Sequence, residues 1–254
     1  MKAFYQLLEG VYDPNIFKAF FMAGGPGSGK SYAVQLGIGQ AQKDVKVTAQ
    51  GLRVVNSDDV FEKYLKDAKL DFKMQAAMGQ GKERDALRDK AKAVTKKMRD
   101  NYVEGRLGLV IDGTGKDYSK LTDQASQLKQ LGYEVSMVFV NTSLETALVR
   151  NEKRARSVPP RIAEQGWKDV QANLGRFQQF FSPKNFFIVD NNDHQEDPME
   201  ISAKMIARAV RRPVNNPIAT AWIADQMKQK GMSDISNKPL GRNIGKGGGG
   251  YVRK

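Results

Sequence analysis

Apolar residues in this chain gather into short continuous runs separated by longer amphipathic stretches. Runs at 19–23, 52–55, 108–112, 134–140 and 185–189 have the length and the bounding turns of buried strands. The stretches between them have helical periodicity. One helix follows residue 31 and ends near Gly37 or Gly39. A second starts at 56–59 and buries Val60, Phe61, Tyr64 and Leu65. A third, over 82–102, sets Leu87, Ala91, Val94, Met98 and Tyr102 on one face of a densely charged segment. That pattern reads as a solvated helix with a core stripe, more than as a polyanion-binding face. Further helices are expected at about 118–131, from a Ser143 cap to the stop at Val158-Pro159-Pro160, and at 161–180. Two more, at 199–211 and 218–230, carry Ile201, Met205 and Ala209, then Ile218, Trp222, Ile223 and Met227. At the start, Phe4, Leu7, Leu8 and Val11 predict a short helix before an Asp13-Pro14 turn.

Strands alternating with helices predict an α/β fold: a doubly wound, parallel, five-stranded sheet with helices on both faces, plus C-terminal helices. The expected organisation is a main α/β domain over 1–197 with a lid near 150–160. A helical extension over 198–231 and a basic, glycine-rich tail over 232–254 complete it. In such sheets ligands bind beyond the carboxyl ends of the strands. That rule gathers the loop at 24–31, Asp58 and Asp59, Asp112 and the Asn191 region on one rim.

The loop itself reads Gly24-Gly25-Pro26-Gly27-Ser28-Gly29-Lys30-Ser31, which fits G-x-x-x-x-G-K-S between a strand and a helix. Its glycines free backbone N–H groups to converge on phosphate oxygens at a helix N-terminus. Gly25, Gly27, Ser28, Gly29, Lys30, Ser31 and Tyr32 are therefore the expected ATP-binding residues. Lys30 reaches the β- and γ-phosphates, and the Ser31 hydroxyl holds Mg²⁺.

Composition narrows the chemistry further. The chain has 254 residues, no cysteine and a single histidine, His194, in an acidic polar stretch. Disulfides and thiolate metal sites are excluded, and His194 reads as a solvated side chain. No apolar run approaches a membrane span and no signal-peptide pattern opens the sequence, so a cytoplasmic setting is expected. The net charge of +13 favours a polyanionic partner such as nucleic acid, although five basic residues and no acidic one lie within 238–254.

A phosphoryl-transferring enzyme must accept a proton from the acceptor hydroxyl and neutralise charge on the group in flight. Asp58 offers the first function, and Arg150, Arg154 and Arg156 offer the second as a lid. Each has a plainer alternative. Ser57 and Asp58 are good helix caps, the arginines suit a solvated helix end, and Asp112 suits a structural carboxylate.

Four landmarks in series carry a family resemblance: the loop at 24–31; Asn56-Ser57-Asp58-Asp59; Ile111-Asp112-Gly113-Thr114-Gly115; and Arg150-Asn151-Glu152-Lys153-Arg154 followed by Val158-Pro159. Over about 18–190 the chain resembles the family joining bacteriophage polynucleotide 5′-hydroxyl kinases and zeta-type toxin kinases. Asn-x-Asp-Asp and the arginine lid resemble the former. Asp-Gly-Thr-Gly, then a helix and Gly132-Tyr133-Glu134, resembles the latter, which phosphorylate the sugar of UDP-N-acetylglucosamine.

The resemblance implies Asp58 as general base, Lys30 on the phosphates, Ser31 on the metal, Arg154 on the transferring phosphoryl and Arg150 at a second lid position. Asp59, Asp112, Thr114 and Lys63 fall on the acceptor side. Alignment through Phe61 nominates Asp59 as base instead. Two positions depart from the polynucleotide kinase pattern. Phe61 stands where that pattern has an arginine, with Lys63 the nearest base, and no Asp-x-Asp-x-Thr phosphatase motif is present. The expected protein is thus a Mg²⁺·ATP-dependent kinase acting on a hydroxyl of nucleic acid, at a 5′ end or on a modified base of phage DNA. A nucleotide-sugar kinase and an ATP-gated nucleic-acid-binding module are the rivals.

Overall fold

The computed structural model describes residues 11, 13, 15–38, 47, 48, 50–72, 81–154, 157–192 and 196–229. The helix expected at 1–17, the tail at 232–254, His194 and Arg156 fall wholly or mainly outside them. Five strands form one sheet: β1 Lys18–Ala23, β2 Arg53–Val55, β3 Leu109–Ile111, β4 Glu134–Asn141 and β5 Phe186–Asp190. All pairings are parallel, in the order β2-β3-β1-β4-β5.

The helices are α1 Lys30–Ile38, α2 Ser57–Asp67, α3 Gly81–Glu104, α4 Tyr118–Gln130 and α5 Leu144–Glu152. They continue with α6 Pro160–Ala172, α7 Leu174–Phe181, α8 Glu196–Val210 and α9 Pro217–Gln229.

β1 and β4 are apolar on both faces because both faces are covered, as a central parallel strand requires. Ala19, Phe21, Val135, Met137 and Phe139 pack with Leu121 and Leu128 of α4, Phe177 and Phe181 of α7, and Ala219 of α9. Phe20, Met22, Val138 and Val140 pack on the other side with Ala33 of α1 and Ile206, Ala209 and Val210 of α8. The two C-terminal helices thus each contribute to a main core layer. A third, much smaller cluster joins Phe61 and Leu65 of α2 to Ala91 of α3, with Val60, Tyr64, Leu70, Phe72 and Leu87 around it. It makes α2 and α3 a hairpin beside the edge strand β2.

The sequence pattern differs from the structure in a few instructive places. The stretch 161–180 is two helices, broken at Asn173. The Asn173 amide donates to the carbonyls of Gly115 at 3.0 Å and Lys116 at 2.9 Å, which the straight helix would not permit. On α3, Val94 is 38% exposed, and Arg84 and Thr95 occupy the buried face instead. On α8, Ile201 and Met205 are exposed while Ile206 and Val210 are buried, a shift of the apolar face by about one residue. Ile218 of α9 is exposed as well. Among the described residues no helix is long and apolar enough to cross a membrane.

Candidate active site

Because every strand runs the same way, each delivers its following loop to one rim. β1 leads into the loop at 24–29, β2 into Asn56, β3 into Asp112, β4 into Thr142 and β5 into Asn191.

The 24–29 loop is tightly enclosed. Gly27 and Gly29 have φ of 80° and 83°, where a side chain is strained. A Cβ at Gly27 would collide with the Ala147 carbonyl, and one at Gly29 with the Asn191 amide. Asn191 Nδ2 donates to the Ser28 carbonyl at 2.7 Å, clasping the loop from β5. Trp167 of α6 lies against Gly25, held by its Nε1 donating to the Thr142 carbonyl at 2.8 Å. Lys30 Nζ folds back to the Gly24 carbonyl at 2.8 Å and approaches that of Gly25 at 3.4 Å. Ser31 and Tyr32 are exposed in the first turn of α1, whereas Ser28 is buried.

A charged cluster borders this loop. Burial pushes the Lys30 amine below its ordinary pKa, an effect opposed by Asp112 and Asp58 and reinforced by Arg154. Burial raises the Asp112 carboxyl, opposed by Lys30, while Asp58 and Asp59 add to the rise. Asp58, Asp59 and Arg154 thus lie close enough to act on Lys30, Asp112 or both, and the strand-end rule gathers all of these but Arg154. Asn56 has two roles in placing them. Its side-chain oxygen caps α2 by accepting from the Asp58 amide at 2.8 Å, and its Nδ2 donates to Asp112 Oδ2 at 2.8 Å. The cap of α2 is therefore Asn56, in place of the Ser57 or Asp58 that the sequence offered. Asp112 Oδ1 is buried with no hydrogen-bond partner among the described residues.

Thr114 is exposed in the loop after β3, and its carbonyl accepts from the Gly24 amide at 2.9 Å. Lys63 is exposed on α2, five residues beyond Asp58 and one turn beyond Asp59.

The lid segment is shaped by a buried asparagine. Asn151 Nδ2 donates to the Val158 carbonyl at 2.8 Å, and its Oδ1 accepts from the Val158 amide at 3.2 Å. That reciprocal pair closes the chain between α5 and α6 and leaves Arg154 exposed near Lys30. Arg150 is placed differently. Its guanidinium donates to the carbonyls of Asn191 at 2.7 Å and Asn192 at 3.3 Å, fixing the loop after β5 beside Gly29.

Sequence reasoning missed the clasp of Asn191, the packing of Trp167 and the pairing of Asn151 with Val158. Both residues of the last pair lie in one of the four landmarks. It also missed Arg88 of α3, whose Nη2 lies 3.8 Å from Asp58 Oδ1.

Fold and site define a phosphate-loop protein of the kinase-like α/β class. The sequence profile of the zeta toxin family matches residues 14–197, and the chain belongs to that family. A comparison with curated proteins finds no match. Among solved structures, the chain is similar to one in the native AvrRxo1-ORF1:-ORF2 complex, at 16% identity and a TM-score of 0.52. The match covers 68% of this chain and 54% of that one. The same complex with ATP matches at 15% identity, TM-score 0.50 and equal coverage. A chain from the PezAT toxin–antitoxin system of Streptococcus pneumoniae matches at 15% identity and TM-score 0.47, covering 84% of this chain and 87% of that one. The chain spans about half the length of the AvrRxo1-ORF1:-ORF2 chains it matches. These likenesses concern the fold, and the phage polynucleotide kinases are not among the families matched.

Proposed function

We propose that the protein is a Mg²⁺·ATP-dependent kinase that transfers the γ-phosphoryl group to a hydroxyl acceptor on nucleic acid. The observation that carries the reading is Lys30 in the phosphate loop with Asp58 and Asp112 at neighbouring strand ends, both of the latter bonded to Asn56. In the proposed reaction the Asp58 carboxylate accepts the proton of the acceptor hydroxyl. The oxygen attacks the γ-phosphorus in line, the bond to the β–γ bridging oxygen breaks, and ADP leaves. Lys30 swings from its own loop carbonyls onto the phosphates, and Arg154 neutralises the group in flight. Arg150 orders the loop beside the nucleotide.

The donor set suits a hard cation. The Ser31 hydroxyl is exposed at the loop's end, and the buried, unpartnered Asp112 Oδ1 is an oxygen donor of the required kind. Held there, Mg²⁺ would neutralise charge on the β- and γ-phosphates.

Charge favours nucleic acid as acceptor, since the chain stays net basic without its last seventeen residues. Family membership favours a second reading, a hydroxyl of a nucleotide sugar such as UDP-N-acetylglucosamine. Transfer of labelled γ-phosphate from ATP decides between them. The panel is 5′-hydroxyl DNA and RNA, hydroxymethylated duplex DNA and UDP-N-acetylglucosamine. Label on nucleic acid is the expected result; label on the sugar alone supports the second reading, and label on none contradicts both.

A further inference from the structure

The acceptor side of the rim contains a cation that the transfer scheme does not use. Two guanidinium groups of α3 lie over the Phe61 ring, Arg84 at 5.8 Å and Arg88 at 5.3 Å from its centroid. They differ in what their nitrogens do. Arg84 is buried, and its Nη1 donates to the Asp71 carbonyl, so it fixes the end of the α2–α3 connection. The Arg88 side chain is 47% exposed and makes no hydrogen bond among the described residues. Its one ion pair there is the 3.8 Å approach to Asp58 Oδ1, longer than a hydrogen bond.

The position relative to Asp58 is informative. Arg88 borders Asp58 from α3, beside the Phe61 ring. Its contact with the Phe61 ring leaves the fork's paired N–H donors available to a tetrahedral or planar anion. Three carboxylates, Asp58, Asp59 and Asp112, lie along this rim, so an anionic acceptor needs a local counter-charge to reach it.

We propose that Arg88 is a specificity-determining residue that binds a phosphate of the acceptor while Asp58 takes the nearby hydroxyl. The substrate class is then a hydroxyl compound carrying its own phosphate a few bonds away, a chemistry common to nucleic acid and nucleotide sugars. This inference rests on reading the rim as a phosphoryl-transfer site.

The test measures binding without turnover, in the presence of ADP, by equilibrium dialysis of two matched probe pairs. One pair is thymidine and thymidine 3′-monophosphate; the other is N-acetylglucosamine and UDP-N-acetylglucosamine. The wild-type protein should prefer the phosphorylated member of at least one pair by about 10- to 100-fold. Arg88→Gln should erase that preference, and Arg88→Lys, which keeps charge but loses the fork, should retain part of it. Affinity for ATP and melting temperature should stay unchanged in both variants. A wild type without preference in either pair, an Arg88→Gln protein that keeps it, or an equal loss of ATP affinity would overturn the assignment. A preference that vanishes in Arg88→Gln, together with no transfer to any acceptor, would count against the kinase reading alone.

Discussion

The phosphate loop and the α2–α3 hairpin flank the same carboxylate, Asp58, yet they are supported in opposite ways. The loop is enclosed by Ala147, Trp167 and Asn191 from three different elements and grows from β1, a strand buried on both faces. The hairpin rests on its own small cluster around Phe61, Leu65 and Ala91, and its Asp58 and Arg88 side chains are half-exposed. The lesson concerns division of labour. Phosphate binding is the same task whatever the acceptor, so it is built into the main core. On the proposed reading, acceptor choice is the variable task, and it falls to a satellite packed apart from the two main core layers.

The largest expected effect breaks that separation from the hairpin side. Leu65 is fully buried in the satellite cluster, and Leu65→Ala should destabilise it by about 2–5 kcal/mol. Amide hydrogen exchange should rise sharply in α2 and α3 and stay slow in β1 and β4, with ATP affinity preserved and transfer lost. Equal loss of ATP affinity would mean the two regions are one unit.

Gly29→Ala attacks the other side. The positive φ alone costs about 1–3 kcal/mol, and the new methyl group would displace the Asn191 clasp. ATP binding, followed through the fluorescence of Trp167 against Gly25, should weaken while exchange in the hairpin stays as in the wild type.

Asp112→Asn gives the smallest effect and joins the two regions. Burial raises the Asp112 pKa, so the folded protein holds that proton more tightly than the unfolded chain. The stabilisation is complete below the unfolded value near 4 and is lost as pH rises through the higher folded value. The variant should therefore match the wild type in melting temperature at acid pH and exceed it at neutral pH, while transfer falls. A variant less stable at neutral pH would mean that the attraction of Lys30 outweighs burial.

Much of this was legible in the sequence because it depends on local rules. The apolar runs locate β1 and β4, and strand-end logic gathers Lys30, Asp58 and Asp112. The less legible parts depend on contacts between distant segments. Asn173 looks like any helix residue until the loop carbonyls of Gly115 and Lys116 are beside it. Arg150 and Arg154 look equivalent in one basic segment, yet Arg150 is bound to the Asn191 loop while Arg154 is left exposed. Phe61 reads as the loss of an arginine from the acceptor side. In three dimensions a guanidinium of α3, from 27 positions further along the chain, lies 5.3 Å from the Phe61 ring centroid.

The central claim is that Asp58 acts on the acceptor and not on the nucleotide. The direct test compares wild type with Asp58→Asn, measuring ATP affinity and γ-phosphoryl transfer on one preparation, with Asp59→Asn in parallel. Transfer in Asp58→Asn should fall about 10²- to 10⁴-fold, with ATP affinity unchanged and the Asp59 variant much less affected. Undiminished transfer in Asp58→Asn, with loss in Asp59→Asn, would contradict the assignment and move the base by one residue.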